Sequence, residues 1–331
     1  NFSNTCNLKC AYCGPQYSSK WVEEIEKHGP YSVSDGYNAI KPIKERNEMP
    51  YKHSEANPYV DAFWEWWPDL YKDLHTFRIT GGEPLLSKDT FKVLEYIQEN
   101  WEQNPNLSLS INTNLSVPKK LIDRLIEIAK DLTENNKVKE LIIFTSVEAK
   151  GAQAEYTRFG LDYDYFWENV DRLLTTLPKL SIVIMAAFNA LSVFTYDKLI
   201  DRVFEYKKKF HNPNRYAKEA IQLDTSYIRW PSFLSIKILE EEHIELIRKS
   251  AEKMLYLGGL SVMGNTFGFT NVEIQKVKRT YDYAKAKSSF TKDHSRQEFC
   301  KFVEEYDERR GTDFTKTFPE LKDFYAKYSK K

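Results

Sequence analysis

The sequence predicts an α/β protein, a partial (β/α)6 TIM-like barrel followed by a C-terminal helical extension. Short apolar runs alternate with amphipathic segments as far as residue 238, as parallel strands joined by helices do. Beyond residue 238 the alternation stops and helical segments alone follow. We therefore expect a barrel domain over 1–238 and a helical domain over 239–331.

Five runs are predicted as strands, because each is apolar and rich in β-branched or aromatic residues over about 4–8 positions. They are Phe77–Thr80, Leu107–Thr113, Leu141–Val147, Ile182–Phe188 and Ile221–Tyr227. A sixth strand is expected upstream of Asn1, since a motif already occupies the first residues. Parallel strands at this spacing form a partial version of the (β/α) barrel.

Amphipathic periodicity predicts the helices between and after these strands. They are Ser18–Lys27, Lys88–Trp101, Lys119–Asp131, Phe166–Thr176, Tyr196–Phe210, Glu240–Tyr256, Val272–Phe290 and Arg296–Arg309. The polar, proline-rich stretch Pro30–Pro58 is predicted as a long loop or insertion over the active end of the sheet. The helical spacing of Trp64, Trp66 and Trp67 favours a place in the core over ligand stacking.

Composition excludes several classes of function. Lys and Arg number 48, as do Asp and Glu, and this balance predicts neither a nucleic-acid nor a membrane partner. No apolar run approaches the roughly 20 residues of a membrane span. Three of the four cysteines lie within eight residues, which favours metal ligands over disulfides. We expect a protein of the reducing cytoplasm.

Three cysteines form the most informative motif. Cys6, Cys10 and Cys13 are separated by three and two residues, so their thiolates can converge on one iron–sulfur cluster. Three ligands on a four-iron cluster leave one iron open, which is typical of a centre built for chemistry. The alternative is a structural zinc site with His28 or His53 as the fourth ligand, in a non-enzymatic zinc-binding interaction protein.

A second motif follows the first predicted strand. Thr80, Gly81, Gly82 and Glu83 precede Pro84, and two glycines at a strand end permit close approach of a ligand to the backbone. Taken alone, this segment is more often an ordinary tight turn.

Together the two motifs resemble the radical S-adenosylmethionine (SAM) superfamily. The cysteine spacing, with Tyr12 before the last cysteine, is the superfamily signature, and Asn4–Cys10, Cys13–Pro15 and Ser18–Trp21 resemble its SPASM/twitch branch. The resemblance implies an oxygen-sensitive enzyme with a [4Fe–4S] cluster on the three cysteines. SAM would be cleaved to a 5′-deoxyadenosyl radical that abstracts hydrogen from a peptide, sugar or other small substrate. Flavodoxin or ferredoxin would donate the electron.

The resemblance also implies roles for residues at the strand ends. The backbone beside Tyr12 would contact adenine, and the turn Thr80–Glu83 would bind the SAM amine. Further SAM contacts are expected at later strand ends, from Asn112, Asn114, Ser146, Glu148, Arg158 and Asn189. Asn114 stands where the family has Gly, and Glu148 where it has Asp. For the Asn and Ser residues the alternative is turn chemistry, and for Arg158 it is a helix C-cap.

Cys300 departs from the family pattern. SPASM and twitch proteins carry further cysteines for an auxiliary cluster, but Cys300 is the one cysteine after Cys13. A single thiol cannot anchor such a cluster, so we predict one cluster and a twitch-like C-terminal region reduced to helices. Cys300 is then either an inert buried side chain or a hydrogen-atom donor to a substrate radical.

Overall fold

The structure, a computed structural model, describes residues 1–34, 36–51, 55–212, 219–259 and 267–329. The strands in these residues are β1 (Lys9–Cys10), β2 (Thr76–Ile79), β3 (Ser108–Asn112), β4 (Glu140–Ser146), β5 (Arg158–Phe159), β6 (Ser181–Phe188) and β7 (Ile221–Tyr227). The strands β2, β3, β4, β6 and β7 form one parallel sheet in chain order, and β1 pairs antiparallel with β5.

Helices connect and cover the strands. The α-helices are α1 (Ser19–His28), α2 (Ile40–Glu45), α3 (Pro58–Asp73), α4 (Lys88–Asn100), α5 (Lys119–Glu134), α6 (Gly151–Thr157), α7 (Tyr163–Thr176), α8 (Tyr196–Lys209), α9 (Glu241–Gly259), α10 (Asn271–Lys285), α11 (Lys292–Arg310), α12 (Phe314–Thr317) and α13 (Lys322–Tyr328). Short 3-10 turns occupy Pro84–Leu86, Trp101–Gln103, Ser232–Leu234, Ile236–Ile238 and Pro319–Leu321. No helix in the described ranges is long and apolar enough to cross a membrane.

The two faces of the sheet differ. In β4, Leu141, Ile143 and Thr145 are buried, while the alternate residues are only partly covered. Because side chains alternate along a strand, one face packs against helices and the other remains accessible. We call this second face the open face; it carries Asn112, Phe144, Ser146, Met185 and Asp224, which line the cavities described below.

Most predicted elements are confirmed. Each predicted strand occurs within one residue of its expected bounds, because continuous apolar runs bounded by turns mark buried strands clearly. Pro30–Pro58, expected as a loop or an insertion, contains helix α2 and buries Tyr31 and Tyr37, so it is a packed insertion and not only a covering loop. One expectation was wrong. Trp67 is buried as expected, but Trp66 is 64% exposed.

The C-terminal helices pack behind the cysteine loop. Arg310, at the end of α11, donates two hydrogen bonds of 3.0 Å to Glu24 and one of 2.8 Å to the Lys9 carbonyl. Its guanidinium carbon lies 3.8 Å from the Tyr306 ring and 4.7 Å from the Trp21 ring. The Arg310 and Glu24 side chains are only 0% and 3% exposed. The division at residue 238 stays a prediction.

We expect Arg310→Met to lower the free energy of unfolding by about 3 kcal/mol, because it leaves the Glu24 carboxylate buried with Lys9 as its remaining cationic partner. Urea unfolding at neutral pH measures this loss. Arg46→Met is the matched control: Arg46 pairs with Glu48 on the surface, and its loss should change stability little. Equal effects of the two substitutions would contradict the importance of the buried pair.

The same pair predicts a pH dependence. Burial opposes the charge of Glu24, but hydrogen bonds from Arg310 and Lys9 outweigh it and lower the pKa of Glu24 from 4.5 to about 2. A depressed carboxyl pKa stabilises the fold above the unfolded value, and this contribution disappears as pH falls from 4.5 towards 2. The free energy of unfolding of the wild type should therefore fall as the pH is lowered across this window. In Arg310→Met it should fall less over the same pH range.

Candidate cofactor site

The three thiols of the cysteine loop line one cavity of about 380 Å³ at the carboxyl ends of the parallel strands, which we call the thiol cavity. Of the predicted site residues, the cavity is lined by Cys6, Cys10, Cys13, Tyr12, Gly81, Gly82, Asn112, Asn114, Ser146 and Arg158. Polar strand-end residues therefore meet the cysteine loop at a single place, as expected for a parallel sheet.

A short antiparallel pairing fixes the cysteine loop. Cys10 stands opposite Arg158, and Lys9 opposite Phe159. The Ala11 amide extends the pairing by donating to the Thr157 carbonyl at 2.7 Å. This ladder places the middle cysteine beside a guanidinium from a segment that is remote in the sequence.

Side chains from the following segments also hold the loop by its carbonyls. Trp21 donates its indole N–H to the Cys10 carbonyl at 3.0 Å. The Tyr37 hydroxyl lies 2.9 Å from the Ala11 carbonyl and 2.6 Å from the Cys13 carbonyl. Tyr37 is 1% exposed, so these contacts are shielded from water. Sequence reasoning missed Tyr37, because it falls in the stretch predicted as a loop.

Without a bound cation, the three cysteine thiols have raised pKa values. Burial raises the pKa of Cys6 to about 12, and burial also raises the pKa of Cys10 and Cys13. The Arg158 guanidinium partly opposes the effect at Cys10, where its Nη1 lies 3.7 Å from Sγ. Metal ligands must be thiolates, so a positively charged centre in the cavity would favour the ionised form of all three.

The donor set fits a cluster. Three soft sulfur ligands that line one cavity suit an iron–sulfur cluster. The rest of the cavity leaves room for a second bound molecule beside it. Among the described residues, no three His, Cys, Asp or Glu side chains are grouped to hold a single metal ion. Of the two histidines considered for zinc, His28 is exposed at the end of α1 and His53 lies outside the described residues.

The glycine turn packs directly on the cysteine loop. The Gly82 amide donates to the Ser3 carbonyl at 3.1 Å, and the Glu83 amide donates to the Thr5 carbonyl at 2.7 Å. A Cβ atom at Gly82 would lie 2.4 Å from the Asn4 carbonyl oxygen. Because only glycine permits this approach, the cysteine loop can pack on the turn in this way only when residue 82 is glycine.

Glu83 itself does not line the cavity. Its side chain accepts hydrogen bonds from the Leu85 amide at 3.0 Å and from the Asn114 amide at 2.6 Å. It is 2% exposed, and burial raises its pKa to about 7. Its observed contacts join the glycine turn to the end of β3, so the carboxylate holds two walls of the cavity together.

Glu148 holds Arg158 in place. Nε and Nη2 of Arg158 donate to the same Glu148 oxygen at 2.9 and 2.8 Å, and the Tyr12 hydroxyl lies 3.3 Å from it. Burial opposes the Arg158 charge, but Glu148 outweighs it and raises the pKa of the guanidinium. Arg158 also occupies the C-cap position of α6, the alternative considered for it.

Some of the remaining predicted residues contact the cysteine loop and others do not reach the cavity. The Asn114 side-chain amide donates to the Asn7 side-chain oxygen in the loop at 2.9 Å. Thr80 and Glu148 do not line the cavity, and nor does Asn189, whose side chain caps its own turn by accepting from the Leu191 amide at 2.9 Å. Turn chemistry, the alternative considered for Asn189, accounts for its observed contacts.

Cys300 lies away from the cavity lining. It is 2% exposed, on α11, and its thiol is 3.9 Å from the Tyr325 carbonyl of α13. The lining residues that were not among the predicted site residues are Leu8, Tyr17, Thr113, Met185, Ala186, Ala187, Asp224 and Ser226. Asp224 and Ser226 alternate along β7, and polar residues at every second position of an otherwise apolar strand were the available signal.

Glu83→Gln should lower the free energy of unfolding by about 1–3 kcal/mol, because the amide nitrogen would face a backbone N–H donor where the carboxylate now accepts. Chemical denaturation measures the change, and Glu102→Gln on the surface serves as control. An unchanged stability in Glu83→Gln would show that these two hydrogen bonds do not join the walls of the cavity.

Comparison with known proteins agrees with the geometry. The model of the radical SAM superfamily matches residues 1–189, which include the cysteine loop, the glycine turn and Arg158. No curated protein matches the chain. The match covers more than half of the chain and contains the thiol cavity's three cysteines, so the protein is a radical SAM enzyme, a member of the superfamily that uses a [4Fe–4S] cluster and SAM.

Proposed function

We propose that the thiol cavity is where the protein binds both cofactors and starts reductive cleavage of SAM. The observation that carries the proposal is that Cys6, Cys10 and Cys13 line the same cavity as Gly81 and Gly82. When bound, the [4Fe–4S] cluster supplies the electron that converts SAM to a 5′-deoxyadenosyl radical, which abstracts hydrogen from a peptide, sugar or other small substrate.

The residues of the chain bind and orient. The three thiolates hold the cluster, and the backbone of Gly81 and Gly82 forms the adjoining wall for the methionine part of SAM. Asn112, Asn114 and Ser146 offer polar groups from successive strand ends. Tyr12 adds an aromatic wall, consistent with the expected adenine contact of the backbone beside it.

Arg158 and Glu148 act as positioning residues in this proposal. The Glu148 carboxylate holds the guanidinium beside Cys10, where its positive charge offsets the cost of burying a thiolate. This differs from the expected pairing of Arg158 with the SAM carboxylate, since two of its three nitrogens already donate to Glu148. Glu83 and Asn189 support the strand ends from outside the cavity.

Several finer features belong to the same proposal. The chain order of the five parallel strands supports a partial (β/α)6 barrel over 1–238, with a helical twitch-like region over 239–331. One cluster is proposed, because Cys300 is a single, buried thiol. An oxygen-sensitive cluster suits the reducing cytoplasm, where flavodoxin or ferredoxin would supply the electron. Cys300 is proposed to be inert.

Anaerobic reconstitution with iron and sulfide should give a brown protein that forms 5′-deoxyadenosine from SAM when dithionite is added. Cys10→Ser should lose most of its iron and this activity, because two remaining thiols cannot hold the cluster firmly. Cys300→Ala is the matched cysteine control and should retain both. A colourless protein with stoichiometric zinc and no SAM cleavage would overturn the proposal in favour of a zinc-binding interaction protein.

The Cys300 control also tests hydrogen donation. If Cys300 is inert, Cys300→Ala should leave unchanged the solvent deuterium incorporated into product in deuterated buffer. A loss of that deuterium would instead identify Cys300 as the hydrogen-atom donor.

A further inference from the structure

A second cavity, of about 370 Å³, lies on the open face of the sheet, and we call it the open-face cavity. Ile142, Phe144 and Val183 supply apolar side chains to it, and Val272 and Lys276 border it from α10. Its volume is within the range of small-molecule pockets, roughly 300–1,000 Å³. Asp224 lines both this cavity and the thiol cavity, so the two adjoin.

Arg78, on β2, does not itself line either cavity, but its guanidinium contacts residues that line both. Its guanidinium carbon is 3.8 Å from the Phe144 ring, which lines the open-face cavity. Its Nε donates to Asn112 at 2.8 Å, and its Nη2 lies 3.7 Å from the Met185 sulfur; both of these residues line the thiol cavity. Contacts with residues of β3, β4 and β6 therefore hold the Arg78 guanidinium in place.

This guanidinium has no carboxylate within ion-pair distance among the described residues. The acidic groups of the open-face cavity have other partners. Asp224 is 2.7 Å from Lys276. Glu273 is 3.1 Å from Lys207 and also accepts from the Leu223 amide at 2.8 Å. Arg78 is exposed, so its remaining N–H groups are open to a ligand.

We propose that the open-face cavity binds the substrate and that the substrate is a small organic carboxylate, whose carboxylate pairs with Arg78. A guanidinium held beside an aromatic ring still presents a planar fork of N–H groups, which matches a carboxylate. Ile142, Phe144 and Val183 surround the carbon skeleton. This inference rests on the proposed function, because the substrate must adjoin the place where SAM is cleaved.

Charge distinguishes a carboxylate from a phosphate at this position. Arg78 offers one positive charge, and Lys276, the cation that lines the open-face cavity, is already paired with Asp224. A phosphate dianion would leave charge uncompensated, whereas a carboxylate matches a single guanidinium.

The test uses three probes of similar size: 3-phenylpropionate, its neutral amide 3-phenylpropionamide, and phenyl phosphate. Their Kd values are measured by ligand-observed NMR titration of the reconstituted holoenzyme under anaerobic conditions. Arg78→Gln removes the charge. Arg124→Gln is the matched control, since Arg124 also lies over a phenylalanine ring, at 4.3 Å from Phe91, but pairs with Glu95 on the helices.

We expect the carboxylate to bind the wild type about tenfold more tightly than either the amide or the phosphate, because one charge-assisted bidentate contact is worth about that much. Arg78→Gln should weaken carboxylate binding by about the same factor, and Arg124→Gln should not. Val272→Trp, at an exposed position of the cavity border, should weaken binding of both the carboxylate and the amide.

Equal affinity of the wild type for carboxylate and amide would overturn the proposal, even if Arg78→Gln failed to fold. Tighter binding of the phosphate would overturn the carboxylate assignment, and equal binding by Val272→Trp would overturn the location. Formation of 5′-deoxyadenosine by the wild type is measured separately. Its absence would contradict the proposed function, whereas its presence without selective carboxylate binding would contradict only this inference.

Discussion

The pairing of Lys9–Cys10 with Arg158–Phe159 is the constraint on which the cofactor site depends. It consists of two residues on each side, yet it joins the cysteine loop to a segment about 150 positions away in the chain. The glycine turn, Trp21, Tyr37 and Arg310 also contact the backbone of the loop, but only this pairing joins it to the segment that carries Arg158. The pairing sets Arg158 beside Cys10, and the Glu148 carboxylate then fixes the direction of the guanidinium.

Two buried ion pairs flank the loop. Arg158 with Glu148 and Arg310 with Glu24 each place a guanidinium near Cys10, and both guanidinium groups favour its ionised form against the effect of burial. A buried ion pair is weak evidence for stability, because desolvation opposes the attraction. Its value here is positional, because each guanidinium is held in place by its own carboxylate.

The sequence predicted the sheet and much of the cavity lining. Parallel strands are continuous apolar runs, and their carboxyl ends gather at one edge, so Asn112, Asn114 and Ser146 were expected there from their place at strand ends together with the resemblance to the superfamily. Contacts between remote segments were not predictable. Tyr37 lies in a proline-rich stretch whose packing no periodicity reveals, and Arg310 lies in a helix whose partner is far away in the chain. Asn189 was expected to line the cavity, but it caps its own turn instead. Residues that form turns and residues that bind ligands both occur at strand ends, so the sequence could not distinguish the two roles.

The C-terminal helices have two separate relations to the sheet. Helix α11 ends at Arg310 and supports the cysteine loop from behind, whereas α10 borders the open-face cavity through Lys276 and Val272. Lys276 pairs with Asp224, which also lines the thiol cavity. A change of sequence in α10 would therefore alter the proposed substrate pocket without touching the loop that holds the cysteines. The fold thus permits substrate preference to vary while Cys6, Cys10 and Cys13 keep the same surroundings.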